Sequence, residues 1–443
     1  MGMWKTALAL ALAGLIFLTA CGGGGGGGGA TTPAPPVMPP PAPPPTGANV
    51  VAIVVDAGPA ALASGPNPTF SANVAFASVT LCAPGTANCQ TIDHMLVDTG
   101  SIGVRVYQSV LNPTLLAAMP METDAGGNPV GECYDFADGF VFGSVRQADF
   151  QIGGEAVANM PVQVIGDGGA FAAVPSSCSA GGGPALATVQ NFGANGIVGI
   201  GVSLTDCGAV CQSPGGSGAA AYYDCPASGC AALVTRTAST AAPFQQLPNP
   251  VAAMAVDNNG TIVSLPAVPS TGAPSVTGQL IFGIGTQANN ALGGATVLTT
   301  TGAQSALGEG LLTVQYKGQA LNQSFIDSGT NLYLFSDASI AACSGAGFAG
   351  DYCPGSPLAL SPAVVGQNGV MASGSFTLLN ARNLFSTQNS AVPGVGGNPA
   401  VINKGVDFSN SFNFGLPFFY GRNIYTALEG RNAGGAMGPY IAY

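Results

Sequence analysis

Two short motifs of one type carry the carboxyl groups best suited to chemistry. The first reads Asp98-Thr99-Gly100-Ser101 and the second reads Asp327-Ser328-Gly329-Thr330. Two carboxylates that share a site cannot both ionise cheaply, so one serves as an acid while the other serves as a base. We therefore expect Asp98 and Asp327 to form a catalytic dyad that activates a water molecule. The expected supporting residues are Thr99, Gly100, Ser101, Ser328, Gly329 and Thr330.

The remaining composition excludes several other chemistries. His94 is the one histidine among 443 residues, so a histidine metal cage cannot form and a Ser–His–Asp triad would have to use it. It lies four strand residues, about 13 Å, before Asp98, and we interpret it as a surface or hairpin histidine. Nine Lys and Arg residues and a net charge of −11 argue against a nucleic-acid partner. We expect no metal and no cofactor, since neither nucleotide-binding nor calcium-binding spacings occur.

Both motifs follow a predicted β-hairpin and precede a further predicted strand. The hairpin strands are Ala75–Thr80 with Thr91–Val97 and Leu311–Tyr316 with Ala320–Ile326; the following strands are Ile102–Tyr107 and Asn331–Phe335. A chance match to the tetrapeptide is expected on the order of 0.05 times in a chain of this composition. Turn chemistry alone does not explain duplicated flanks. The pattern predicts an internal duplication.

The residue pattern from Asn49 onward is typical of an all-β protein. The whole chain contains 67 glycines, and its apolar runs are short and alternate with polar residues. Segments with helical spacing are few, and we predict short helices at Gln108–Met119 and Asp337–Ala342.

On these motifs the chain resembles the pepsin-like aspartic proteases, bilobal β proteins in which each lobe supplies one aspartate. Gly196–Gly201 is similar to the strand that crosses behind the first active loop, and Gln279–Gly285 is similar to the strand that opens the second lobe. Asn413–Glu429 is similar to the family's C-terminal segment, and the resemblance implies that it is the equivalent crossing strand of the second lobe. The chain also resembles a bacterial family of exported proteins of unassigned function.

The resemblance implies an all-β, bilobal pepsin-like fold with two six-stranded-type lobes, a central cleft and few short helices. The implied lobes are residues 49–265 and 266–443. The implied activity is that of an aspartic endopeptidase acting on a peptide or protein substrate through Asp98 and Asp327.

Two departures from the family pattern keep an alternative open. The stretch Ile102–Arg105 lacks the family's tryptophan, and the expected flap near Tyr134–Val145 lacks the usual glycine-rich pattern, so Tyr134 or Phe136 would replace the flap tyrosine. The alternative is a catalytically inactive groove that binds peptides or proteins, with the aspartates apart, occluded or paired with Arg105 or Arg422. A surface structural role is a third possibility, and a paired-carboxylate glycosidase is disfavoured.

The N-terminus predicts export and lipid attachment. Thr6–Leu18 is an apolar run of signal-peptide length, and Leu18-Thr19-Ala20-Cys21 resembles the bacterial lipobox. We predict a signal peptide at 1–20, acylation (palmitate among the lipids) of Cys21, and a Gly/Pro-rich tether over 21–48. The implied location is the cell envelope, periplasmic or surface-facing, on the outer membrane where one exists. An ordinary signal peptide with an incidental cysteine is the alternative.

The cysteine count agrees with export. Eleven cysteines less Cys21 leave ten, an even number. The expected pairs are Cys82–Cys89, Cys207–Cys211, Cys225–Cys230, Cys343–Cys353 and, by elimination, Cys133–Cys178. Crossed pairing among Cys207, Cys211, Cys225 and Cys230 is equally allowed by the sequence.

Overall fold

The structure is a computed structural model that describes residues 47–64, 68–181, 183–212, 219–230, 232–237, 245–302, 310–345, 347–402 and 409–443. The predicted signal peptide, Cys21 and all but the last two residues of the predicted tether lie outside the described residues.

Short strands account for most of the regular structure. The strands are β1 Val50–Val55, β2 Ala75–Cys82, β3 Cys89–Asp98, β4 Ile102–Tyr107, β5 Val130–Phe136, β6 Gly139–Ile152, β7 Glu155–Ile165, β8 Gly196–Ile200, β9 Ala220–Asp224, β10 Ala232–Leu233, β11 Gly260–Leu265, β12 Val276–Phe282, β13 Val297–Thr299, β14 Leu312–Tyr316, β15 Gln319–Ile326, β16 Tyr333–Phe335, β17 Leu358–Leu360, β18 Ala363–Val365, β19 Met371–Ser373, β20 Phe376–Leu378, β21 Gly396–Gly397, β22 Phe412–Phe414, β23 Arg422–Ala427, β24 Asn432–Ala433, β25 Ala436–Met437 and β26 Tyr440–Ala442. The α-helices are α1 Ala60–Ala63, α2 Pro113–Ala118, α3 Val189–Phe192, α4 Pro250–Ala253, α5 Ala381–Phe385 and α6 Pro399–Ile402. The prediction of an all-β protein with few short helices is confirmed.

The described strands join into two large sheets and two ribbons. The larger sheet has fifteen strands in the order β10-β9-β5-β6-β7-β4-β8-β3-β2-β1-β12-β11-β23-β26-β13, and the smaller has seven in the order β19-β18-β14-β15-β22-β16-β21. The predicted boundary between residues 265 and 266 falls between β11 and β12, which pair with each other in the larger sheet. The division into lobes 49–265 and 266–443 stays a prediction.

The two aspartate motifs occupy equivalent places in the two sheets. In the larger sheet, β8 runs parallel to β3 and antiparallel to β4, so it passes between the strands that flank the first motif. In the smaller sheet, β22 runs parallel to β15 and antiparallel to β16 around the second motif. The match extends one strand further, since β7 lies parallel to β4 and β21 lies parallel to β16. The predicted duplication is confirmed, and this topology is the pepsin-like one that the sequence predicts.

The second crossing strand is shorter than predicted. Only Phe412–Phe414 crosses behind the second motif, whereas Arg422–Ala427 pairs with β11 and β26 in the larger sheet. A 3-10 turn at Leu416–Phe418 separates the two strands, and its proline cannot extend a ladder. The interpretation of all of Asn413–Glu429 as a crossing strand was therefore wrong beyond Phe414.

The helix predictions were half right. Pro113–Ala118 is a helix, and the side chain of Asn112 caps it by accepting from Leu115 N at 2.7 Å. Asp337–Ala342 forms a turn instead of the predicted helix. There the Asp337 carboxylate accepts from Ser339 N at 3.0 Å and from Lys317 Nζ at 2.7 Å, and such local bonds compete with helix formation.

Five disulfides link the ten cysteines of the described residues in the pairing expected from sequence spacing. They are Cys82–Cys89, Cys133–Cys178, Cys207–Cys211, Cys225–Cys230 and Cys343–Cys353. The crossed alternative is therefore excluded. None of the helices in the described part of the chain is long and apolar enough to cross a membrane.

Candidate active site

The ends of two equivalent strands bring the predicted aspartates together. Asp98 is the last residue of β3 and Asp327 follows β15 directly. Both are largely buried, with 5% and 7% of their surface exposed, and their carboxyl groups are in hydrogen-bonding contact. The two motifs, 229 positions apart in the chain, thus form one site.

Each carboxylate is held by its own loop in the same way. Asp98 accepts from Gly100 N at 2.8 Å and from Ser101 Oγ at 2.6 Å. Asp327 accepts from Gly329 N at 2.7 Å and from Thr330 Oγ1 at 2.8 Å. One oxygen of each carboxylate is therefore held by a backbone N–H and the other by a hydroxyl group.

The middle residues of the motifs bind the two loops to each other. Thr99 N donates to Ser328 Oγ at 3.1 Å, and Ser328 N donates to Thr99 Oγ1 at 2.9 Å. Ser328 Oγ also donates to Val97 O at 2.8 Å. All of these atoms are buried, and such a satisfied network fixes the separation of the aspartates.

Each glycine of the motifs faces the opposite aspartate. A Cβ atom placed on Gly100 would lie 2.6 Å from Asp327 Cγ, and one placed on Gly329 would lie 2.7 Å from Asp98 Cγ. These distances are shorter than any van der Waals contact between carbon atoms. The glycines therefore allow the carboxyl groups to meet.

Burial and the neighbouring carboxylate act on Asp327 in the same direction. Burial first, and then the charge of Asp98, raise the pKa of Asp327 well above its usual range, although bonds from Gly329 N and Thr330 oppose the shift. The two carboxyl groups therefore titrate as a coupled pair.

The dyad lies in a cavity of about 310 Å³ with a mainly apolar lining. Both predicted flap residues, Tyr134 and Phe136, line it from the end of β5, together with the turn at Ala137 and Asp138. The ring of Phe136 lies 4.8 Å from the ring of Tyr134 and 5.8 Å from that of Phe192. These three rings form one wall of the cavity, which we call the aromatic wall.

The sequence did not single out several residues of the cavity. Phe192, Phe325, Asn331 and Ile402 all line it. Phe325 and Asn331 lie within two residues of the second motif in the sequence. Their closeness to the motif could have marked them as cavity residues. Phe192 and Ile402 lie in short helices outside both motifs, where no local pattern marks them.

The remaining charged residues considered in the sequence lie elsewhere. His94 Nε2 lies 3.4 Å from Asp56 Oδ2, and its ring packs against Phe76. Arg105 is ion-paired with Glu132 and Asp206, and Arg422 donates to Phe418 O. Within the described ranges there is no group of three or more His, Cys, Asp or Glu residues that could hold a metal ion.

Two buried aspartates thus meet where equivalent strand ends of an all-β protein come together. The chain belongs to the family described as "Protein of unknown function (DUF3443)", whose family model matches residues 45–443. No curated protein matches it. The chain is similar to the crystal structure of aspartic proteinase from Irpex lacteus, at 15% identity and a TM-score of 0.45, over 89% of this chain and 96% of that chain.

Proposed function

We propose that the protein is an aspartic endopeptidase that uses Asp98 and Asp327 to activate water. The observation that carries the proposal is the contact between the two carboxyl groups at an apolar cavity, with each group held by a backbone N–H and a hydroxyl. Such a pair shares one proton, as general acid–base hydrolysis requires.

In the proposed reaction the two aspartates have different roles. Asp98 takes a proton from a water molecule held between the carboxyl groups, while protonated Asp327 donates a hydrogen bond to the scissile carbonyl oxygen. The water oxygen bonds to the carbonyl carbon while the Asp327 proton moves to the carbonyl oxygen, which gives a tetrahedral diol. Asp98 then passes its proton to the leaving amine as the C–N bond breaks, and Asp327 recovers its proton from the diol.

The positions of two arginines favour catalysis over the alternative of an inactive binding groove. In an inactive groove, Arg105 or Arg422 could neutralise the aspartates. Arg105 instead contacts Glu132 and Asp206, and Arg422 lies over the ring of Phe418 with its Cζ 4.2 Å from the ring centroid. The dyad therefore keeps the carboxyl–carboxyl contact on which its chemistry depends.

The test is cleavage of a denatured protein mixture by the chain from residue 47 onward, from acidic to neutral pH. We expect cleavage that a statine-type transition-state mimic blocks, and that Asp98→Asn or Asp327→Asn reduces by about 10³-fold or more. Asp124→Asn is the matched control, because Asp124 accepts bonds within an exposed turn and an Asn oxygen can replace it. Absence of cleavage by folded wild-type protein at every pH would contradict the proposal and favour the binding groove.

We further propose that the protein is exported and anchored through lipid on Cys21. Support comes from the five disulfides, which form in oxidising compartments, and from the lipobox-like Leu18–Cys21. The substrate would then be a peptide or protein at the cell envelope.

A further inference from the structure

A buried cluster of charged residues lies behind the aromatic wall. Arg105, in β4 directly after the first motif, is fully buried, with 0% of its surface exposed. Its Nη2 donates to Glu132 Oε1 at 2.6 Å and to Asp206 Oδ2 at 3.1 Å. Tyr222 also donates to Asp206, at 2.9 Å. Removing an arginine and two carboxyl groups from water is costly, so a buried cluster of this kind is weak evidence of a role in stability.

Arg105 contacts two residues that line the dyad cavity. Its Nη1 donates to Ile102 O at 2.7 Å, and its Cζ lies 3.8 Å from the centroid of the Tyr134 ring. Both Ile102 and Tyr134 line the cavity. A guanidinium group over an aromatic face is attracted most strongly where water is excluded.

The register of β5 explains why the cluster acts on Tyr134. Glu132 and Tyr134 are two residues apart on a strand, so their side chains point to the same face. Arg105 thus binds Glu132 by an ion pair and Tyr134 by stacking. Cys133 points to the opposite face, where it is bonded to Cys178.

We propose that Arg105 is a positioning residue that fixes the Tyr134 ring in the aromatic wall and thereby governs binding of the substrate side chain that rests against it. This proposal rests on the proposed peptidase function. The side chain bound there is apolar or aromatic, because the wall that it would meet consists of three aromatic rings. The hydrogen bonds of Arg105 in the described part of the chain go to Ile102, Glu132 and Asp206 and not to the dyad. We therefore expect Arg105 to affect substrate binding more than the chemical step.

The first test separates KM from kcat. Arg105→Lys keeps the charge but loses the planar group that stacks on Tyr134, and Tyr134→Leu removes the ring while leaving the cluster. We expect each to raise KM about tenfold for a peptide with a Phe or Leu at the cleaved bond, with kcat within about twofold, and the double variant to be no worse than either single one.

Arg146→Lys is the matched control. Arg146 is also largely buried and pairs with Asp167 at 2.7 Å. Its hydrogen-bond partners in the described part of the chain are Asp167, Ser144, Leu116 and Met119, and none of them lines the dyad cavity, unlike Ile102 and Tyr134 beside Arg105. We expect its KM to equal that of the wild type. An equal rise in KM for Arg146→Lys, or a fall in kcat without a change in KM for Arg105→Lys, would overturn the proposal.

The second test needs no catalysis. Amide hydrogen exchange in the segment 130–136 should be about tenfold faster in Arg105→Lys than in wild type, with exchange in 276–282 unchanged. Unchanged exchange in 130–136, or a uniform increase across the molecule, would overturn the positioning role whether or not the wild type cleaves peptides. Failure of wild-type cleavage with faster local exchange would instead contradict only the proposed peptidase activity.

Discussion

At the scale of single residues, the site depends on two positions that have no side chain. Gly100 and Gly329 each face the aspartate of the other motif, so each half of the chain leaves room for the carboxyl group of the other half. The donors that hold the carboxylates come from the same loops. A small change in either glycine would therefore displace both carboxyl groups.

We predict that Gly100→Ala and Gly329→Ala each reduce kcat/KM by about 100-fold, because an added methyl group would push the carboxyl groups apart. Steady-state kinetics and the free energy of unfolding should be measured together. Gly294→Ala serves as the control, since a Cβ there meets no atom within 4 Å. Retention of full activity in both motif variants would show that the observed carboxyl contact is not required.

The single histidine contributes to stability in a pH-dependent way. The hydrogen bond with Asp56 raises the pKa of His94, and the same bond lowers the pKa of Asp56. The contribution of His94 is therefore complete below its ordinary pKa of 6.5 and is lost as pH rises through the raised value. The contribution of Asp56 is lost as pH falls through a value below 3.8.

We predict that His94→Asn lowers the urea midpoint of unfolding at pH 5.5 and has a smaller effect at pH 9, where the wild-type histidine is neutral. Asn suits this position because the φ of His94 is 49°, in the left-handed region that Asn tolerates. An equal fall in the urea midpoint at both pH values would mean that packing of the His94 ring against Phe76, and not its charge, stabilises the fold.

At the scale of elements, local patterns predicted the hairpins well and the loops poorly. The strands before Asp98 and Asp327 were predictable because alternation and turn residues are local signals. The helix expected at Asp337–Ala342 did not form, since its aspartate bonds to nearby backbone and to Lys317. The position of Phe192 in the cavity and the contact between Arg105 and Tyr134 depend on segments that are distant in the chain. A single sequence does not reveal such contacts.

Strand β5, which contains both predicted flap residues, has a covalent restraint that the sequence did predict. Cys133 and Cys178 are bonded across a separation of 45 residues. We predict that Cys133→Ser with Cys178→Ser lowers the free energy of unfolding by about 2–4 kcal/mol, because the unfolded chain gains freedom, and also weakens substrate binding through β5.

Chemical denaturation and KM together test this prediction. Cys82→Ser with Cys89→Ser is the control, as that bond spans seven residues at the tip of a hairpin away from the cavity. The control should lower the free energy of unfolding by a smaller amount and leave KM unchanged. A rise in KM of the same size in both variants would argue against a specific effect of the Cys133–Cys178 disulfide on β5.

At the scale of the whole molecule, the halves are joined by more than the dyad. Asn73 Nδ2 donates to Asn331 O at 2.9 Å, and Tyr420 donates to Asn73 Oδ1 at 2.7 Å. The larger sheet also contains strands from both halves. The second aspartate loop is thereby held by residues from the start and the end of the described chain.

The proposed attachment of the protein to a membrane through Cys21 is a property of the whole molecule. We predict that wild-type protein incorporates a labelled palmitate analogue and sediments with membranes, whereas Cys21→Ser does neither, because the proposed lipid is attached through the Cys21 thiol. Gly22→Ala should behave as wild type. Label retained by Cys21→Ser would place the modification elsewhere and contradict the anchor.

The position of β1 constrains how the chain reaches its final form. This strand lies between β2 and β12, with Val50 opposite Ile281, and Asn49 beside it is fully buried and donates to Phe282 O. A chain that emerges from a translocation pore N-terminus first must keep this strand unpaired on one edge until more than 200 further residues have followed. A maturation cut that removes N-terminal residues and leaves this strand in the sheet must fall before Asn49.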